Sequence, residues 1–262
     1  MRQFVLTITV LVVAAGTSPC DAQKAHELSG SRTTGIPLVN FSSDDGTGYG
    51  LRVNHFEYDG TSVPYRRKYS AQAFITTGGK WVHRLLVDAP QFWPGQRLEA
   101  ELVYQKEDFA NYYGNLSDEE ADSYSKDQKT FRQAFPEFRI KWIGALRLPW
   151  RVRVGGRLSR NDITPNSSTG SVLADLAPLG ADGGFFAQVH GSLRYDSRDN
   201  YNNATSGVLE ELLVDFGVGG GGDYHGTTLS FSHRHFQPLV PGLVLAHRLN
   251  VDWTLGSLPF YE

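Results

Sequence analysis

The sequence predicts an all-β protein, an antiparallel transmembrane β-barrel of about eleven strands behind an N-terminal signal peptide. Stretches of about ten residues alternate in polarity, the length a tilted strand needs to cross a bilayer. The connections between these stretches sort into long and short by parity. Beyond the N-terminus no segment reaches about 18 uninterrupted apolar residues, so a membrane crossing here is made by strands.

The N-terminus reads as a secretory leader. Arg2 precedes the apolar run Phe4–Ala15, which is too short to span as a helix. Small residues at Cys20-Asp21-Ala22 put the cut after Ala22. The single cysteine, Cys20, also offers a lipoprotein anchor, a signal that Pro19 directly before it fits badly. Cleavage after Ala22 leaves no thiol, which excludes disulfides, thiolate metal sites and cysteine nucleophiles. With 25 Lys and Arg against 28 Asp and Glu and no clustered basic face, nucleic acid is excluded as a partner. Residues 23–34 are small and polar, a flexible lead-in, and 35–262 form the barrel domain.

Gly35–Ser43 is a weak first strand, ended by the turn Ser43-Asp44-Asp45-Gly46. Tyr49–Tyr58 follows, with Asp59-Gly60 and Pro64 turning it. Tyr65–Thr76 alternates most cleanly: Tyr65, Arg67, Tyr69, Ala71, Ala73 and Ile75 oppose Arg66, Lys68, Ser70, Gln72 and Phe74. In Trp81–Ala89, Trp81, His83, Leu85 and Val87 share a face. Leu98, Ala100, Leu102 and Tyr104 then oppose Arg97, Glu99 and Glu101. A polar excursion covers 106–135, where Ser117-Asp118-Glu119-Glu120 has capping-box spacing and predicts a short helix. Phe138, Ile140 and Trp142 oppose Arg139 and Lys141. Beyond Pro149, Trp150, Val152, Val154 and Leu158 oppose Arg151, Arg153 and Arg157. A second long loop covers 161–184. A hairpin centred on 195–207 follows, then a glycine tip at 217–222, a strand near His225–Phe236 and a last one over Leu243–Leu255.

Loop parity separates two readings that alternation alone leaves open. The excursions 106–135 and 161–184 both follow odd-numbered strands, while connections after even-numbered strands are short and proline-rich apart from the 195–207 turn. Transmembrane barrels have long loops on one side and short turns on the other. Aromatics fall in two belts, Tyr65, Trp150 and Tyr195 at the short-turn end and Tyr49, Trp81, Tyr104 and Trp253 at the other. The charged face, Arg66, Lys68, Arg97, Glu99, Glu101, Arg139, Lys141, Arg151, Arg153 and Arg157, then lines a wet lumen. The alternative is a soluble secreted β protein with those charges outside and the apolar face as its core.

Other constellations carry little chemistry. His225, His233 and His235 share a face, but no carboxylate or further ligand stands at metal-binding spacing, so no metal is expected. The glycines at 217–222 lack the Lys-Ser or Lys-Thr of a phosphate loop. The acidic cluster around Asp118 lacks a calcium pattern. Ser232 and His233 point to opposite faces, as do His247 and Asp252, so no hydrolase grouping forms and neither an enzyme nor a cofactor is expected.

Two motifs carry a resemblance. Tyr195-Asp196-x-Arg198-Asp199-Asn200 closes one strand and Thr205-Ser206-Gly207 opens the next. This turn resembles a periplasmic turn of the bacterial surface-antigen barrels, the outer-membrane assembly factors of the BamA and TamA type. Two hairpins later, Leu258-Pro259-Phe260-Tyr261 resembles the segment that leads these barrels into an inward-folded loop. The resemblance covers roughly 35–262. It implies a barrel of about sixteen strands in outer-membrane lipid, about five more than this chain holds. It also implies a role in inserting or translocating client proteins. The mechanism it implies is a weak seam at which a client strand pairs with an exposed edge. That seam strand would be Gly35–Ser43, in which Pro37 removes a ladder donor. The family's POTRA domains have no counterpart in residues 23–34, and the arginine of its inward loop would fall after Glu262. The chain is therefore expected to be the front part of a barrel, truncated, self-associated or completed by a partner chain. A passive porin or structural barrel is the competing function.

Overall fold

The computed structural model describes residues 3–14, 29–43, 45–200, 203–220 and 224–262. Its strands are β1 (Gln3–Ala14), β2 (Ser29–Ser42), β3 (Gly46–Asp59), β4 (Arg67–Thr76), β5 (Trp81–Trp93), β6 (Gln96–Asn111), β7 (Thr130–Arg147), β8 (Trp150–Pro165), β9 (Gly184–Asp196), β10 (Gly207–Gly219), β11 (Tyr224–Val240) and β12 (Leu243–Ser257). Helices α1 (Asp118–Asp122), α2 (Lys126–Lys129) and α3 (Val172–Leu176) sit in the two long loops. All strands lie in one antiparallel sheet of order β1-β12-β11-β10-β9-β8-β7-β6-β5-β4-β3-β2. From β2 to β12 each strand pairs with its neighbours in the chain, the meander expected of an up-and-down barrel wall.

Several strands outrun their predicted bounds. β2 starts at Ser29 rather than Gly35, pairing Ser29–Thr34 against Asp59–Asn54, so part of the expected lead-in is strand. β6 and β7 extend through 106–111 and 130–135, shrinking the first long loop to 112–129. The second shrinks to 166–183. Ser29–Thr34 is polar on both faces, and Phe131 and Phe135 fall on the inward parity of β7, so the lipid-facing alternation does not mark these extensions. The lead-in at 23–28, the cleavage point at Ala22, Cys20, Asp44 of the first turn and the glycines at 221 and 222 lie outside the described residues.

The N-terminal segment read as a leader runs antiparallel to β12, Gln3 opposite Thr254 and Ala14 opposite Leu243. Its run Val5-Leu6-Thr7-Ile8-Thr9-Val10, β-branched at every position but Leu6, has high strand propensity, which suits it to an open sheet edge.

The two faces of the sheet differ as the alternation requires. Cross-strand register puts Leu85, Leu102, Phe138, Leu158, Val189 and Phe216 on one face, and each is exposed, Val189 at 60%. No second layer covers this face among the described residues. A soluble sandwich would bury it, since contiguous apolar surface of this extent is unfavourable in water. The soluble alternative therefore fails, and the greasy face meets lipid. The hydrophobic cluster of Ala110, Phe131 and Leu173, with Tyr112, Ile163, Ala181 and Phe260 against it, sits instead at the long-loop end.

Local signals explain the loops. Ser117 Oγ accepts the Glu120 N–H at 3.3 Å and Glu120 Oε2 accepts the Ser117 N–H at 2.9 Å, the predicted capping box of α1. The same signature, Ser125 to Gln128, starts α2 and was equally legible.

Candidate functional site

The inner face carries a continuous band of charge. Lys68 stands opposite Asp88, Asp88 opposite Glu99, Glu99 opposite Lys141; one row over, Glu101 faces Arg139 and Arg139 faces Arg157. Arg97 grips Asp88 with two bonds, Nε to Oδ1 and Nη2 to Oδ2, both 2.8 Å, and reaches Glu99 at 2.8 Å. Lys141 closes on Glu99, and Glu101 lies 3.5 Å from Arg84 and 3.6 Å from Arg139. The two arginines placed opposite each other, Arg139 and Arg157, would repel. Glu137, almost fully buried, lies between them, ion-paired with Arg139 and 3.3 Å from Arg157. Farther round, Arg153 pairs with Glu211, and Ser192 Oγ donates to the same carboxylate at 2.8 Å. A hollow of about 510 Å³ opens on Glu99, Glu101, Arg139, Arg153, Arg157 and Asp215. Polar walls, alternating charge and this hollow set the inner face apart from the apolar outer one.

The C-terminal segment folds onto this face. Phe260 donates its N–H to Leu179 O at 3.0 Å, and its ring meets Tyr112 and Phe131 at 5.1 and 5.6 Å. Pro259 is fully buried. Tyr261 and Tyr224 share a hydroxyl bond of 3.1 Å, and Glu262 bonds Arg157, whose guanidinium covers the Phe186 ring at 5.3 Å. Leu258 packs against the backbone of Gly226, where a side chain's Cβ would lie 2.7 Å from it. Gly180 (φ +85°) lets Pro259 in close: a Cβ there would sit 2.5 Å from that proline's Cβ.

Side-chain bonds close the 195–207 turn on itself. Arg198 doubles back on Asp196 with bonds of 2.8 and 2.9 Å. Asp199 accepts the N–H groups of Thr205 at 2.9 Å and Ser206 at 3.2 Å, and Thr205 Oγ1 also bonds it. Slight burial raises the Asp199 carboxyl, and the bonds from Thr205, Ser206 and Asn200 outweigh that, holding it at about 2. Gly207 (φ +101°) opens β10 where a Cβ would strike Ser197 O at 2.4 Å. Tyr201 and Asn202 of this turn lie outside the described residues. Trp150 and Tyr195 pack edge to face at 5.1 Å at the short-turn end.

Some predicted placements change. Lys68, Arg97, Glu99, Glu101, Arg139, Lys141, Arg151, Arg153 and Arg157 all fall on the inner face by register. Arg66 does not: it precedes β4, exposed, in the turn. Tyr65, expected in the aromatic belt at the short-turn end, donates its hydroxyl to the inward Asp88 at 2.5 Å. Both residues lie ahead of the strand, where alternation has no hold. Glu137 and Glu262 were missed as lumen residues; Glu137 continues the parity of Arg139 and Lys141, and that signal could have found it. The third histidine near His233 and His235 is His247 of β12, not His225.

Comparison with known proteins agrees with this architecture. Residues 85–262 match the Omp85 superfamily domain. The crystal structure of BamA from Haemophilus ducreyi lacking POTRA domains 1-3 superposes with a TM-score of 0.55 at 12% identity, covering 97% of this chain and 48% of that one. The chain thus spans about half the length of that structure. None of the curated proteins matches it in sequence. On the domain match across most of its length, the chain belongs to the Omp85 superfamily.

Proposed function

We propose that this chain forms part of an outer-membrane barrel that inserts or translocates client proteins, with β2 as the strand that a client meets. The observation that carries the reading is the β2 edge. Among the described residues β2 pairs with β3 alone, and it points Val39 (67% exposed) and Phe41 (74%) outward. In lipid the unpaired N–H and C=O groups of such an edge have no water to bond, so an incoming strand is the partner that satisfies them. Pro37 leaves one ladder position without a donor, which keeps the edge open to exchange. The ion-paired lumen suits a wall that holds its shape while the seam opens. If residues 1–22 are removed as a leader, the outer edge of β12 is freed as well, and the seam gains a second side.

The test is site-specific photocrosslinking in cells. A photoreactive residue at Thr34 or Val39 should capture newly exported outer-membrane polypeptides, whereas one at Val189 in the closed wall should not. Equal capture at all positions, or none, refutes the proposal. Channel conductance without any client, together with no capture at β2, identifies a passive pore instead.

A further inference from the structure

The outward face is mostly apolar, with scattered ionisable groups such as His55, Glu57, Arg67 and His83, and one place gathers three histidines and a carboxylate. Toward the short-turn end, Glu210 of β10 stands opposite His233 of β11, and His235 stands opposite His247 of β12. By register all four share the face of Leu212, Phe231 and Leu249. An ionisable group on a lipid-facing surface is costly and marks a function unless something satisfies it. Here four converge. The rings of His235 and His247 are 5.1 Å apart, His233 and His247 5.5 Å, His233 and His235 6.3 Å. One ligating nitrogen from each lies within 4.8 Å of the others, and all three side chains are half-buried.

We propose that His233, His235 and His247 are the ligands of a divalent transition-metal site of the zinc class, with Glu210 as its supporting carboxylate. The chemistry of the donor set selects the ion. Three imidazoles with no thiolate and no further carboxylate suit zinc and its borderline neighbours rather than calcium or magnesium. Tetrahedral coordination at about 2.0–2.1 Å per bond needs nitrogens roughly 3.3 Å apart, within a small side-chain rotation of the present arrangement. Glu210 fixes the tautomer. Its Oε1 lies 3.1 Å from His233 Nδ1, and a carboxylate can only accept, so Nδ1 carries the proton and Nε2 is left free to ligate. The hairpin β11–β12 holds two of the ligands in a directly facing pair, so the site is rigid in its backbone. A bound cation would also clamp that hairpin, next to the edge strand β1, against sliding.

The test uses the full chain without a polyhistidine tag, folded in detergent micelles and titrated with Co2+ near neutral pH. Wild type should bind one equivalent with the intense visible bands of four-coordinate cobalt, displaced by Zn2+. His235→Ala or His247→Ala should weaken binding about 100-fold or more, and Glu210→Gln about 10- to 100-fold. His225→Ala, outside the cluster, should bind as wild type does. Folding is checked for each variant by heat-modified gel mobility, and His235→Gln and His247→Gln replace any alanine variant that fails it. No saturable binding by wild type, or equal binding by the folded His235 and His247 variants, overturns the proposal.

Discussion

Adjacent residues Leu213 and Val214 test the assignment of the two faces most directly. Both are apolar and near the middle of β10, and they point opposite ways. Val214 lies between Gly191 and Leu229 on the outward face, 43% exposed, and Leu213 lies between Ser192 and Ser230 within the lumen. Val214→Arg puts a guanidinium into hydrocarbon at mid-depth, a cost of about 2–4 kcal/mol. That is a fall of about 30- to 700-fold in the ratio of folded to unfolded protein. Leu213→Arg puts the same group into water, flanked on its own face by Glu211 and Asp215. Its lost packing and new ion pairing should leave it within about 1 kcal/mol of wild type. The assay is equilibrium unfolding in urea from lipid vesicles, followed by tryptophan emission and by heat-modified mobility. Equal costs for the two variants, or a larger cost for Leu213→Arg, would refute the inside-out arrangement.

Other outcomes follow from the same contacts. Arg97→Ala leaves the buried Asp88 carboxylate with only the Tyr65 hydroxyl, and should cost about 3 kcal/mol by the same unfolding measurement. Asp199→Ala removes three bonds across the 195–207 turn and should cost about 1–2 kcal/mol. Because the folded Asp199 carboxyl titrates at about 2, below the ordinary value of about 4, its contribution is present above pH ~4 and lost as pH falls towards 2. The stability gap between wild type and Asp199→Ala should close over that window; a gap that widens on acidification contradicts the hydrogen-bond account. Phe260→Ala empties the space between Tyr112, Phe131 and Tyr261, and should loosen the long-loop end by about 1–3 kcal/mol. Limited proteolysis within 112–129 and 166–183 would report it, and unchanged cleavage rates would show that the C-terminal segment does not brace these loops.

Strand order, face and the sorting of loops were legible in the residues because each is a local property. In β4 the alternation of Tyr69, Ala71, Ala73 and Ile75 with Lys68, Ser70 and Gln72 survives any tertiary arrangement, since successive side chains point to opposite faces. The capping box at Ser117 and the turn at Asp199 are equally local, each joining residues less than a turn or a loop apart. What alternation could not show is how far the strands run beyond the lipid: Ser29–Thr34 carries no apolar face, and in Thr130–Phe135 the apolar Phe131 turns inward to the cluster with Ala110 and Leu173. Nor could it place Tyr65, which lies ahead of its strand and swings inward to Asp88.

The remaining features depend on register across the sheet, which sums the lengths of every turn between two strands. Glu262 reaches Arg157 from 105 positions away. His247 meets His235 only because the β11–β12 turn puts them opposite each other, and Glu210 joins them only through the pairing of β10 with β11. The sequence by itself determined which side of each strand is greasy, since that is written in steps of two residues. The tertiary structure alone decided which polar groups meet, because those meetings are made between strands and no period along the chain encodes them.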